Sequence, residues 1–185
     1  MKYLLLLFIG LSACAPKIFL INPNTNLPLY QCKLPLKVYL DRSVPNYDYY
    51  TIQSELDYWN QELNTKVFIL KGYTGYSPSA TNILVIHALF NSSEDKKVLG
   101  RTYFYVSNDK KCVISSDIEY HADRINRNYR ILDWVIRHET CHVLGIDHFN
   151  RDNDLMYPKL PGHPTNVPRV NQKQKEALKN IYNLD

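Results

Sequence analysis

Long apolar runs are missing from this 185-residue sequence: the longest, residues 3–11, has nine members, far short of the roughly 20 that span a bilayer as a helix. A permanent transmembrane helix is excluded. Glycine is scarce, with six residues and no triplet period, which excludes a collagen-like chain. No long polar tract or block of like charge divides the sequence, which argues against disorder and for a single globular domain. Charge of one sign is also lacking: 22 Lys and Arg stand against 18 Asp and Glu, a net +4, and the cations are dispersed. Without a basic stripe, nucleic acid is not an expected partner. Fifteen tyrosines are present, but their scatter has no period of the kind that marks solenoids or propellers. What the chain has is 45% hydrophobic residues, enough for one core under a wet surface.

Residues 1–13 read as an export signal: Lys2, then the apolar run, then small residues. Leu11-Ser12-Ala13-Cys14 resembles the lipobox of bacterial lipoproteins, in which the Cys becomes the acylated first residue. Several acyl chains give stable anchoring where one does not, so the expected location is the cell envelope, on a membrane through Cys14. Residues 14–33, rich in Asn and Pro, read as an extended spacer, and 34–185 as the folded domain. Cysteine is sparse too. Three remain beyond Cys14, namely Cys32, Cys112 and Cys141, so one stays unpaired in a compartment where disulfides form. Cys141 lies in an expected helix and reads as a small buried hydrophobe. That favours a Cys32–Cys112 bridge without fixing it.

Alternation and β-branched content predict strands over 36–40, 67–70, 82–89, 99–106 and 112–118, the last two joined by a turn at 107–111. Helical spacing predicts helices over 48–63, where Ile52, Leu56, Trp59 and Leu63 form one stripe, over 129–144 before Gly145, and over 171–182 behind an Asn171 cap. Strands early and helices at both ends imply an α+β domain.

The chemistry concentrates in His138-Glu139-x-x-His142-x-x-Gly145-x-x-His148. On a helix His138 and His142 lie one turn apart on one face, so both imidazoles can reach one zinc, with Glu139 beside them. Gly145 allows a sharp turn that returns His148 as third ligand. Three protein ligands leave the fourth position open, which is the arrangement of a catalytic zinc. The short H-E-x-x-H is a loose pattern, but the long form fixes five positions and is that of the metzincins.

Met156 follows in Asp154-Leu155-Met156-Tyr157-Pro158. Here the chain resembles the matrixin branch of the metzincins, whose zinc motif is followed by a Met-turn. Leu56 and Trp59, the 82–87 strand, Leu99-Gly100, Asp133-Trp134 and the 171–182 helix also have matrixin-like counterparts. The resemblance implies a twisted, mixed five-stranded sheet carrying two long helices, then the Met-turn and a C-terminal helix. It implies a zinc metalloendopeptidase with one catalytic ion on His138, His142 and His148, Glu139 as general base, and Met156 as an apolar floor. It further implies an extended peptide substrate added to an edge strand near 112–117, with a pocket between the zinc helix and 157–163. Two residues depart from the family pattern: Phe149 stands where Ser is usual, and Cys141 where Gly is usual. No upstream cysteine motif supports latency. The His and Asp pattern of a second, structural zinc is missing between His87 and His121, so these two and His163 are read as surface or core residues.

The expected protein is therefore a monomeric, membrane-tethered zinc endopeptidase. Its rival is a non-catalytic envelope lipoprotein, an adhesin or peptide-binding module braced by zinc. Glu139 argues against bracing alone, which needs no general base.

Overall fold

The computed structural model describes residues 19–21, 28–74, 81–91, 97–106, 112–152, 154–160 and 166–184. The leader with Cys14, the 107–111 turn and His163 lie outside the described residues.

Five strands, β1 (Leu36–Asp41), β2 (Phe68–Thr74), β3 (Ile83–Leu89), β4 (Gly100–Val106) and β5 (Val113–His121), form one sheet in the order β2-β1-β3-β5-β4. All neighbours are parallel except β4, which runs antiparallel to β5. Parallel strands need long crossovers. The first is helix α1 (Tyr49–Glu62), entered through a 3-10 turn at Asn46–Asp48. A short helix α2 (Ala122–Ile125) leads into α3 (Tyr129–Val143), and α4 (Gln172–Tyr182) closes the domain. The structure is the expected α+β, mixed five-stranded arrangement.

Period-2 alternation decides which sheet face is covered. Leu36, Val38 and Leu40 of β1, Leu84, Ile86 and Ala88 of β3, and Ile118 and Tyr120 of β5 share one core with Ile52, Leu56, Trp59 and Leu63 from the first helical region. Leu132, Val135, Ile136 and Val143 of α3 fill the same core. Two polar ties fix α1 against α3. The Trp59 indole N–H donates to the Thr140 hydroxyl at 2.7 Å, and Arg137 makes a bidentate pair with buried Glu55 at 2.6 and 2.9 Å. Asn128 caps α3, and α4 begins with a full capping box between Asn171 and Gln174.

Three sequence expectations need correction. First, residues 112–117 belong to no edge: β5 is hydrogen-bonded on both sides, and the edge strand beside it is β4. Alternation alone marks a strand but not its place in the order. Second, the spacer reading fails for residues 19–21 and 28–33. Leu20 and Leu29 pack with Phe104 and Val113 in a small second cluster, and Gln31 is 1% exposed. Third, β5 runs on to His121 and is followed by α2, where residues 119–125 show too little period for either to be seen.

Cys32 and Cys112 are disulfide-bonded, while Cys141 is free and buried. Burial pushes its thiol well above the ordinary range, so it behaves as a small core residue.

Candidate metal centre

Helix α3 carries His138 and His142 on its buried side, with ring centroids 4.8 Å apart. The chain then reverses at Gly145, whose φ is +100°, a conformation natural to glycine. A Cβ there would also collide with the main-chain oxygen of Leu29. The reversal brings His148 back, with its Nε2 3.2 Å from Nε2 of His138 and 3.1 Å from Nε2 of His142. One ring nitrogen from each histidine lies within 4.8 Å of the others, the single such group of His, Cys, Asp or Glu among the described residues.

The other ring nitrogens of the two helix histidines are engaged. Nδ1–H of His138 donates to Leu155 O at 2.8 Å, and Nδ1–H of His142 to Ile146 O at 2.7 Å. These bonds fix the tautomer and leave both Nε2 lone pairs facing His148, as metal ligation requires. Burial holds His138 neutral, lowering its pKa to about 3, and lowers those of His142 and His148 as well. Three neutral imidazoles with converging ring nitrogens suit a zinc ion. Trp134 stacks on His138, with centroids 4.7 Å apart, and limits ring rotation from behind.

Met156 is fully buried, one residue after the carbonyl that holds His138. Its turn is tightly tied. Asp154 accepts from Met156 N–H at 2.9 Å, from the Gln174 amide at 3.0 Å and from the Asn171 amide at 2.8 Å, joining the Met-turn to the start of α4. Phe149, at the position that departs from the family pattern, is buried and donates its N–H to Met156 O at 2.8 Å. That bond ties the turn back to the residue after His148.

Glu139 is 7% exposed and lies against β4. The Thr102 hydroxyl donates to its Oε2 at 2.7 Å, and Gly100 leaves room for the carboxylate, since a Cβ there would fall 2.8 Å from Oε1. Burial raises the Glu139 pKa to about 7, against the smaller lowering by Thr102 and Arg101. Gly100, Thr102 and Asp154 were not expected at the site. Gly100 falls in the matrixin-like Leu99-Gly100 pair, and Asp154 opens the Met-turn segment, but neither position by itself says what it touches.

His87 lies 4.0 Å from Asp41, and buried His121 ends β5 with its main-chain N–H donating to Leu99 O. Neither joins the three-histidine group.

A mixed five-stranded sheet, a helix presenting two histidines and a reversal returning a third, with a buried methionine in the turn that follows, define a metzincin-type domain. The matrixin family model matches residues 87–183, more than half of the chain. The chain belongs to the matrixins, a family of zinc-dependent metallopeptidases. No curated protein matches it.

Proposed function

We propose that this matrixin is a zinc endopeptidase acting on extended polypeptides, with His138, His142 and His148 as ligands of one zinc and Glu139 as general base. The observation that carries the reading is the convergence of three imidazoles, two of them tautomer-fixed, beside a buried carboxylate held against an edge strand. When bound, zinc supplies Lewis acidity for a scissile carbonyl and makes water easier to deprotonate. Thr102 restrains Oε2 of Glu139, and the carboxylate takes a proton from the attacking water and delivers it to the leaving amine.

Substrate binding follows from the sheet. β4 has one ladder on β5 and its other edge unpaired among the described residues, so an extended peptide adds there by main-chain hydrogen bonds. Thr102 then lies on the strand that receives substrate while its hydroxyl holds the base. Tethering to a bacterial envelope membrane through acylated Cys14 is part of the same proposal, supported by the Leu11–Cys14 sequence.

The test pairs zinc content with cleavage of a quenched peptide library. The expected result is about one zinc per wild-type chain, loss of zinc in His138→Ala, His142→Ala and His148→Ala, and retained zinc without turnover in Glu139→Ala. Zinc without cleavage in the wild type would favour a binding protein, and equal metal loss in all four variants would remove Glu139 from its role.

A further inference from the structure

Helix α3 ends with its carbonyls satisfied, and part of that service comes from the far N-terminal side of the chain. Ile146 N–H donates to Cys141 O at 3.2 Å and Gly145 N–H to His142 O at 2.7 Å, the paired bonds of a Schellman motif. The next three carbonyls have remote donors. Nε2 of Gln31 reaches Val143 O at 2.9 Å, the Tyr182 hydroxyl reaches Leu144 O at 3.0 Å, and Leu20 N–H reaches Gly145 O at 2.8 Å.

Gln31 is the hub of this arrangement. Its Nε2 also donates to the Ser116 hydroxyl of β5 at 2.9 Å, and its main-chain N–H donates to the Tyr182 hydroxyl of α4 at 3.0 Å. An amide can donate to two acceptors on different elements at once, whereas an ionised carboxylate in its place could donate to neither and would leave Val143 O without this partner. The segment is fastened on both sides of Gln31. Leu29 supplies the oxygen that excludes any side chain at Gly145. Tyr30 O accepts from Val113 N–H at 2.8 Å, Cys32 N–H donates to Val113 O at 2.9 Å, and Cys32 is bonded covalently to Cys112.

The turn held in this way is flanked by two imidazoles. Ile146 O fixes the His142 ring, and His148 follows two residues later. We infer that residues 28–32 are a strap that positions His142 and His148 for metal, with Gln31 as the positioning residue acting through the main chain of 143–146. The inference rests on the three histidines being zinc ligands, as proposed above. Gln31 touches neither metal ligand side chains nor Glu139 among its hydrogen bonds, so its effect is on where the ligands are held.

The experiment measures zinc affinity by chelator competition, well below the unfolding temperature, and the visible absorption of the Co2+-substituted chain. Gln31→Met keeps the size of the side chain and removes its donors. Ser116→Ala removes a buried hydrogen bond of the same hub while sparing the one to Val143. The expected result is that Gln31→Met binds zinc about ten- to hundred-fold more weakly, with an altered Co2+ spectrum, while Ser116→Ala stays close to wild type. Wild-type affinity and spectrum in Gln31→Met, or equal weakening in both variants, would overturn the strap. Should Gln31→Met not fold, Cys32→Ser/Cys112→Ser decides: it cuts the fastening and keeps Gln31, and unchanged zinc affinity there overturns the inference. Failure of the metal reading has a different signature, namely no zinc uptake by wild type or undiminished uptake by His138→Ala.

Discussion

Thr102 and Glu139, 37 positions apart, share one short hydrogen bond, with the Thr102 hydroxyl 2.7 Å from Oε2. An edge strand thereby orients the carboxylate of a helix. The Glu139 main-chain oxygen is 3.1 Å from the same hydroxyl, so the strand is registered to the helix backbone as well as to the side chain.

This relation predicts a graded series. In Gly100→Ala the new methyl falls 2.8 Å from both Glu139 Oε1 and Val135 Cγ1, so the carboxylate or β4 must shift. Misplacement of a catalytic group by about 1 Å costs about 10²-fold, and that fall in kcat/KM is expected with zinc content unchanged. Thr102→Val, which keeps the shape and loses the donor, should lower kcat by about tenfold, while Thr102→Ser should restore it. A Val variant as active as wild type would mean that the hydroxyl does not orient the base.

Anchoring is separable from chemistry. Expressed in a bacterium and fed labelled fatty acid, the wild-type chain is expected in the membrane fraction with label at Cys14, and Cys14→Ser in the soluble fraction without it. Peptide cleavage should be the same for both. Identical fractionation without label would leave residues 1–13 as an ordinary export signal.

The three long helices were legible from apolar residues at helical spacing: Ile52, Leu56, Trp59 and Leu63 are all buried, as are Leu132, Val135, Ile136 and Val143 of α3 and Leu178 of α4. His138, His142 and His148 were legible because helix geometry and one glycine fix their convergence. Sheet order was not, since a strand paired on both sides and an edge strand can carry the same alternation, and residues 112–117 were therefore misplaced. The packed strap was hidden for a related reason. An Asn- and Pro-rich segment around Leu20, Leu29 and Gln31 looks like spacer until the acceptors it serves, in α3 and β5, are brought to it by the fold.

Asp48 predicts a pH effect of definite sign. It is buried, and its carboxylate accepts from the equally buried Tyr120 hydroxyl at 2.6 Å. Burial raises its pKa above the ordinary carboxylate value, outweighing the lowering by Tyr120. The folded state therefore binds the proton more tightly than the unfolded chain does. This group's contribution to stability grows as pH falls through the raised value and is complete below the unfolded one. Above the raised value the buried charge is carried at full cost. Asp48→Asn should accordingly be more stable than wild type at neutral pH, with the difference shrinking toward pH 4 in paired urea titrations. A difference that widens on acidification would mean that the ionised form is the favoured one.

Asp154 and Met156 are two residues apart in one turn yet should respond very differently. Met156 is fully buried and contributes packing. Leu in its place is apolar and of similar volume, so Met156→Leu should cost under about 1.5 kcal/mol and keep most of the activity. Asp154 is the acceptor for three donors, one of them the side-chain amide of fully buried Gln174. Asp154→Ala leaves those donors without their partner and should cost about 3 kcal/mol. It should also weaken zinc binding, because the turn it ties down holds the Leu155 carbonyl that accepts from His138. Urea midpoints and chelator competition on both variants check the contrast. If the two cost the same and Asp154→Ala retains wild-type zinc affinity, the turn is held by packing of its methionine and not by its carboxylate.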